Sequence, residues 1–240
     1  VYNKEDEHIY VFRENNGNVW QRVSMENETI CGGTITDPRD NKTYKVVQIG
    51  DQCWMAENLN IGDMIDGSQM QTDNQVIEKY CFENQVSYCD EYGGLYQWNE
   101  MMDYAAVPGT QGICPNGWHL PTDEEWKQLE GAADSQYGYP DPEWAKIDWR
   151  GFDVGLNLKS TTWPNSTGAD LYGYAALPGG YRFTNGYYYD GGWAGWIWTS
   201  SETSGTSEAF YRVFGSSEDR VYRDFSYHKN CGFSVRCVKD

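Results

Sequence analysis

Short runs in which apolar and polar residues alternate lie near both ends of the chain. Close to the start, IYVF and NVWQRVSM alternate on either side of Asn15-Asn16-Gly17, a sequence typical of a tight hairpin turn. Residues 1–30 are predicted to be a strand-forming extension, separate from a domain that begins at Cys31. Beyond the turn at Asp37-Pro38, the segment TYKVVQIG is predicted to be a strand.

Helical spacing of apolar residues is confined to the middle of the chain. It predicts one helix over residues 95–106, LYQWNEMMDYAA. A second helix is predicted to begin at Thr122, which pairs with Glu125 in a capping box, and to stop at Gly131. A third, short helix is predicted at Asp141-Pro142, because proline suits the first helical position.

From about residue 171 onward the pattern is that of short strands. The segments GYAALPGGYRF, GWIWTSS, AFYRVF, VYRDFSY and GFSVRCV are joined by turns rich in Gly, Ser and Asp. In the last segment, Phe233, Val235 and Cys237 alternate toward one face that we expect to be buried. This order of elements predicts an α+β fold with two main helices beside short antiparallel sheets.

Composition and charge argue against two classes of partner. Acidic residues outnumber basic ones 36 to 18, and the net charge of −18 opposes binding to nucleic acid or anionic lipid. No apolar stretch is long enough to cross a bilayer, so membrane insertion is not expected. The first residues, VYNKEDEHIY, do not resemble a signal peptide, and we expect the signal of an exported protein to have been removed.

Cysteines and aromatic residues are abundant, and both favour an extracellular recognition protein. Seven cysteines without a C-x-x-C pattern, together with only 3 histidines, indicate an oxidising compartment rather than a zinc site. Cys81 and Cys89 flank a short segment, FENQVSY, and a disulfide closing this loop would stabilise the fold by roughly 2–3 kcal/mol. The 19 tyrosines and 11 tryptophans supply large rings with a polar atom, as recognition surfaces do.

Five motifs in order carry a resemblance to a known family. They are YKVVQIGDQCWMAENLN, YGGLYQWNEMM, GICPNGWHLPTDEEWKQLE, ALPGGYR and GFSVRCVKD. Together they resemble the Fibrobacter succinogenes major paralogous domain, over about residues 31–240. The resemblance implies a C-type-lectin-like fold related to that of formylglycine-generating enzymes, in secreted or surface-anchored bacterial proteins.

The resemblance also implies how the remaining cysteines are used. In lectin-like folds the capped helix and the last strand meet, which implies a Cys114–Cys237 disulfide. A third pair, Cys31–Cys53, is expected. The position of Cys231 looks variable in similar sequences, so Cys231 is expected to be the odd thiol.

Several side chains within the family motifs are expected to be structural. His119 is expected to be a hydrogen-bonded structural histidine, and four tryptophans are expected in the core: Trp54, Trp98, Trp118 and Trp126. The sequence lacks a D-x-D-x-D-G loop and the EPN and WND signatures of sugar-binding C-type lectins. Structural Ca²⁺ is retained as an alternative on the strength of the superfamily, and no cofactor or metal ligand is assigned.

Residues 181–231 are predicted to carry a ligand-binding face, because Tyr, Phe, Arg, Asp, Asn and Ser are concentrated there. Ala209, Phe214 and Val221 are predicted to belong to the scaffold of this region. Outward positions are predicted at Tyr211, Val213, Gly215, Tyr222, Asp224, Phe225, Tyr227 and His228, and the candidate binding residues also include Tyr187 and Tyr189. The alternative interpretation is an ordinary tyrosine-rich sheet surface.

The leading functional hypothesis is recognition of, or adhesion to, an extracellular protein or glycan, and the chain is predicted not to be an enzyme. The resemblance extends to target proteins of diversity-generating retroelements, in which C-terminal surface residues are randomised toward a palette like this one. A structural subunit of an extracellular filament or surface assembly is the first alternative. An oxidase similar to formylglycine-generating enzymes is the second, but Cys231 and Cys237 are spaced one residue too far apart for that family's copper-binding pair.

Overall fold

A computed structural model describes residues 31–164, 168–203 and 205–240, together with the backbone of three strands within residues 1–30. The chain divides into two compact units, Val1–Ile30 and Cys31–Asp240. In the first unit, β1 (Tyr2–Asn3), β2 (His8–Arg13) and β3 (Val19–Val23) form an antiparallel sheet in that order. The two predicted hairpin strands are therefore present, and their predicted turn, Asn15-Asn16-Gly17, lies outside the described residues.

The second unit contains four α-helices, two 3-10 helices and thirteen strands among its described residues. The helices are α1 (Val86–Tyr92), α2 (Trp98–Met101), α3 (Asp123–Ala133) and α4 (Val154–Leu158), with 3-10 helices at Phe82–Asn84 and Pro142–Ala145. The strands are β4 (Thr34–Thr36), β5 (Thr43–Ile49), β6 (Gln52–Met55), β7 (Asp63–Met64), β8 (Glu78–Lys79), β9 (Trp118–His119), β10 (Asp148–Arg150), β11 (Gly179–Arg182), β12 (Tyr188–Gly191), β13 (Ala194–Glu202), β14 (Ala209–Gly215), β15 (Val221–Asp224) and β16 (Val238–Lys239).

These strands form a six-stranded, a five-stranded and a two-stranded sheet. The six-stranded sheet has the order β10-β15-β14-β13-β11-β12, and its one parallel pair is β11 with β13. The five-stranded sheet has the order β4-β5-β6-β16-β9, so the final strand lies between two early ones. The predicted α+β class, with two main helices and several small sheets, is confirmed.

The helix α3 begins where the capping box in the sequence predicts it. The Glu125 backbone N–H donates to Thr122 Oγ1 at 3.2 Å, and the Thr122 backbone N–H donates to Glu125 Oε2 at 2.8 Å, which completes the capping box. The predicted stop at Gly131 is wrong, because α3 continues to Ala133. A side chain at Gly131 would place its Cβ 2.6 Å from the Tyr139 Cβ, so this glycine permits close packing rather than ending the helix.

The helix predicted over residues 95–106 is mostly wrong. Only Trp98–Met101 is α-helical, and the longer helix, α1, precedes it at Val86–Tyr92. Gly93 has a φ of +84°, and Asp103-Tyr104 has φ values of +50° and +55°. These left-handed conformations interrupt the helical path on both sides of α2. The short helix predicted at Asp141-Pro142 is present as a 3-10 helix capped by Asp141.

The strand β13 separates two hydrophobic cores. Trp198 lies in the first core and Ile197 in the second, as expected for side chains that alternate across a sheet with both faces covered. The helix α3 packs on the second core through Trp126 and Leu129. All four tryptophans predicted to be core residues are at most 3% exposed: Trp54, Trp98, Trp118 and Trp126.

The segment GFSVRCV crosses the interior as irregular chain instead of forming the predicted strand. The residues predicted to be buried are buried: Phe233, Val235 and Cys237. Their neighbours Ser234 and Arg236 are buried too, and regular pairing begins only at Val238. The backbone is satisfied by isolated bridges, since the Phe233 N–H donates to the Tyr96 carbonyl at 3.1 Å and the Ser234 N–H to the Trp196 carbonyl at 2.9 Å. The Arg236 side chain donates to Asn58 Oδ1 at 2.7 Å and to the Ala175 carbonyl at 2.8 Å.

Three disulfides cross-link the second unit. They join Cys31 to Cys53, Cys81 to Cys89 and Cys114 to Cys237, the pairs that the sequence analysis expects. Cys231 is free and buried. Burial raises the pKa of the Cys231 thiol to about 12, so the group stays protonated and unreactive.

Candidate functional site

Each strand of the six-stranded sheet contributes one aromatic ring to a continuous row on the face opposite α3. We call this set the aromatic row: Trp149, Tyr222, Tyr211, Trp196, Tyr181 and Tyr189, in the order of their strands from β10 to β12. Neighbouring ring centroids along the row are 5.2, 6.4, 5.5, 4.5 and 5.6 Å apart. These spacings are within the range of favourable ring–ring contacts.

The strand register explains why these rings share one face. Trp149 is directly opposite Tyr222, and Tyr181 is directly opposite Tyr189. Val213 pairs with both Tyr222 and Trp196, and Tyr211 is two residues before Val213. Side chains directly opposite one another, or two positions apart along a strand, point to the same side of a sheet.

The centre of the aromatic row is covered, which corrects part of the predicted binding face. Tyr211 is 1% exposed and Val213 is 5% exposed, although both were predicted to face outward. The segment that follows β15 folds back over them, so the Tyr211 ring contacts Tyr227 at 5.4 Å and Phe233 at 5.5 Å. Tyr211 and Val213 are therefore core residues rather than candidate contact residues, whereas the scaffold residues Ala209, Phe214 and Val221 are buried as predicted.

The remaining candidates are accessible to different degrees. Tyr222, Asp224, Phe225 and Tyr227 are half-buried, and His228 is exposed. Tyr189 is 41% exposed at one end of the row. Tyr187 and Phe225 lie apart from the row. Tyr187 is 69% exposed and borders a separate depression with Asp66 and Glu83, whereas Phe225 packs on Phe210 at 5.1 Å.

Asp224 of β15 brings three hydroxyl groups together beside the aromatic row. Its Oδ2 accepts from Ser226 Oγ at 2.6 Å, and the Tyr211 and Tyr222 hydroxyls lie 3.3 and 3.4 Å away. Burial raises the pKa of Tyr211, and burial together with Asp224 raises that of Tyr222. Both phenols therefore stay protonated and act as donors to the carboxylate.

A depression of about 600 Å³ lies beside the covered part of the row. It is lined by Phe183, Thr184, Ser226, Tyr227, His228 and Asn230. Of these six residues, only Tyr227 and His228 are among the binding residues predicted from the sequence. Thr184 and Asn230 lie within the predicted 181–231 region, but nothing in the local pattern distinguishes them from its other polar residues.

The opposite face of the sheet carries a buried charge network that serves the fold. Glu130 of α3 pairs with Arg150 and Arg212, and all three side chains have no exposure. Asp123 pairs with Arg212 at 2.9 Å and with Arg223 at 2.7 Å. Burial alone would raise the pKa of Asp123, but Arg212 and Arg223 outweigh it and hold that pKa well below its usual range.

His119 holds the end of the chain against α3. Its Nε2 is 2.8 Å from Glu125 Oε1, and its Nδ1 is 2.7 Å from Asp240 Oδ1. The contact with Glu125, and then that with Asp240, raises the pKa of His119 despite partial burial. This arrangement agrees with the structural role expected for His119.

Neither a metal cluster nor a membrane helix is found where the structure is described. Within those residues, no three His, Cys, Asp or Glu side chains come together as a metal site would require. In the same part of the chain, no helix combines the length and apolar character needed to cross a bilayer.

The fold and cross-links define the class of protein: an extracellular α+β domain held by three disulfides. The chain belongs to the Fibrobacter succinogenes major domain family, whose model matches residues 47–239. The resemblance stated from the sequence motifs is thereby confirmed. No curated protein and no solved structure matches the chain.

Proposed function

We propose that this chain is a binding module of a secreted or cell-surface bacterial protein, with a C-type-lectin-like fold and without enzymatic activity. The module recognises an extracellular partner through Tyr189, at the β12 end of the aromatic row, and through the adjacent depression. The observation that carries the proposal is that buried rings of the row support more accessible ones. The buried Tyr181 ring packs on Tyr189, and the buried Tyr211 ring packs on Tyr227. Rigid aromatic rings lose little conformational entropy on binding, which suits them to recognition.

Two further observations support binding rather than catalysis. Cys237 is disulfide-bonded to Cys114, so it is not available as a partner thiol for Cys231. The strongly paired carboxylates Asp123 and Glu130 face arginines inside the protein rather than a depression. Their partners are those of a structural network, not of a general acid and base.

An array of extracellular proteins and glycans, probed with purified wild type and variants, tests the proposal. We expect Tyr189→Ala and Tyr227→Ala each to weaken binding to the partner about tenfold or more, as for central interface aromatics. Tyr139→Ala is the matched control, because Tyr139 is 43% exposed and contacts Gly131 of α3, on the other side of the sheet. Loss of binding in the control to the same extent, or no binding by wild type to any probe, would contradict the proposal.

A filament or surface-assembly subunit is the alternative, favoured by one observation. The described strands of the first unit form a three-stranded sheet of their own, in which β1 and β3 lie at the edges. Such edges accept a strand from a neighbouring molecule. This function predicts ordered oligomers that are lost when residues 1–30 are removed, as measured by light scattering after gel filtration.

Diversification by a retroelement is a separate part of the proposal, because it concerns the gene. It predicts a template repeat and a reverse transcriptase gene near the codons for residues 181–231. Sequencing the locus decides this part. If both features are missing, the diversification hypothesis fails while the binding hypothesis stands.

A further inference from the structure

The depression beside the aromatic row has walls of aromatic rings set at right angles. The Phe183 and Tyr227 rings, which line it, are 6.0 Å apart with an interplanar angle of 77°. Phe183 also contacts Tyr189 of the aromatic row at 6.3 Å, but Tyr189 does not line the depression. The volume of about 600 Å³ is within the range of about 300–1,000 Å³ that small-molecule sites occupy. The site therefore offers more than one apolar surface to a compact ligand.

The polar groups of the depression remain available for hydrogen bonds. His228 Nδ1 accepts from the Asn230 backbone N–H at 3.1 Å, which places the proton of the neutral ring on Nε2 and makes that nitrogen a donor. The Thr184 hydroxyl and the Asn230 carboxamide make no hydrogen bond to any residue within the described parts of the chain. Together these groups supply several donors and acceptors.

The lining contains no carboxylate, lysine or arginine side chain, although the whole chain has a net charge of −18. The lining residue Ser226 donates its hydroxyl to the Asp224 carboxylate, which also accepts from the hydroxyls of Tyr211 and Tyr222. A charged peptide or an acidic sugar would find no permanently charged side chain of opposite sign in this lining. A quaternary ammonium ion would stack on the rings but would leave the donors and acceptors unused.

We infer that this depression binds a neutral sugar unit of an oligosaccharide. The C–H groups of a sugar ring pack on aromatic faces, and its hydroxyls exchange hydrogen bonds with Thr184, His228 and Asn230. This inference rests on the proposed binding function, and it commits that function to one class of ligand. It requires no metal ion, unlike the sugar sites of Ca²⁺-dependent lectins.

Calorimetric titration with neutral oligosaccharides tests the inference. The probes are gluco-, xylo-, manno- and chito-oligosaccharides, with oligogalacturonate and tetramethylammonium chloride as the acidic and cationic alternatives. We expect at least one neutral oligosaccharide to bind in the presence of a chelator. Thr184→Val and Asn230→Ala should each weaken that binding about tenfold, since each removes one hydrogen-bonding group.

Asn99→Ala is the matched control, because Asn99 is an exposed amide on α2 that does not line the depression. It should bind as wild type does, and all three variants should keep the wild-type urea midpoint. Binding of only the acidic or cationic probe would overturn the inference. A protein ligand sensitive to Tyr189→Ala, with no neutral oligosaccharide bound, would overturn it as well while leaving the proposed function standing.

Discussion

Arg212 donates through Nε to Glu130 Oε1 at 2.7 Å, and neither side chain has any exposure to solvent. The pair joins the central strand β14 to α3, and Arg150 of β10 adds a second cation on the same carboxylate. A buried ion pair contributes little net stability compared with apolar packing, but removing one member leaves an uncompensated charge inside the protein. The pairing joins α3 to β10 and β14 on the sheet face opposite the aromatic row.

The first prediction concerns this pair. Glu130→Gln leaves the buried guanidinium groups of Arg150 and Arg212 without their carboxylate, and we expect it to lower the free energy of unfolding by about 3–5 kcal/mol. Urea unfolding followed by circular dichroism measures the change. Glu124→Gln is the control, because the Glu124 side chain is 55% exposed and should shift the free energy by less than about 0.5 kcal/mol. Equal midpoints for the two variants would show that the buried pair is unimportant.

The second prediction separates the covered and exposed parts of the aromatic row. Tyr211→Ala should lower the free energy of unfolding by about 3–5 kcal/mol, because it removes a buried ring that packs on Trp196, Tyr227 and Phe233. Tyr189→Ala should cost about 1 kcal/mol or less, because that ring is 41% exposed. Thermal unfolding of both variants checks the contrast, and a larger loss for Tyr189→Ala would refute the assignment of Tyr211 to the core.

The burial of Tyr211 illustrates what the sequence can and cannot predict. Alternation along β14 indicates which residues share a face, but not that the segment containing Tyr227 and Phe233 returns to cover that face. The capping box at Thr122 is predictable because its partners are three residues apart. By contrast, Thr184 and Asn230 meet in one depression only through the tertiary fold, so local pattern does not identify them.

The third prediction ranks two disulfides by the length of chain that each closes. Cys114 and Cys237 are separated by 123 positions, whereas Cys81 and Cys89 are separated by 8. The chain-entropy relation then gives about 5 kcal/mol for the first disulfide and about 2.5 kcal/mol for the second. Paired alanine substitutions, Cys114→Ala with Cys237→Ala and Cys81→Ala with Cys89→Ala, test this ranking by urea unfolding. A larger loss from opening the short loop would show that loop entropy is not the controlling term.

The fourth prediction is a pH dependence that originates at His119. Its contacts with Glu125 and Asp240 raise its folded-state pKa above the usual value of 6.5, so the stabilisation is fully present below pH 6.5 and is lost as the pH rises through the folded-state pKa. The pKa of Glu125 is lowered from 4.5, because hydrogen bonds from His119 and Thr122 outweigh the effect of burial. Stabilisation from Glu125 is therefore present above pH 4.5 and is lost as the pH falls further.

Because the pKa of His119 is raised and that of Glu125 is lowered, the contact between them stabilises the fold most between pH 4.5 and 6.5. We expect His119→Gln to lower the free energy of unfolding at both pH values, and to lower it by roughly 0.5–1 kcal/mol more at about pH 5.5 than at about pH 8.5. The difference is modest because the carboxylates are partly solvated. Asp240→Asn should reduce this pH-dependent difference without abolishing it, because Glu125 still faces the imidazole. Urea unfolding at the two pH values measures the effect. A difference between wild type and His119→Gln that stays constant with pH would mean that the His119 contacts act only as neutral hydrogen bonds.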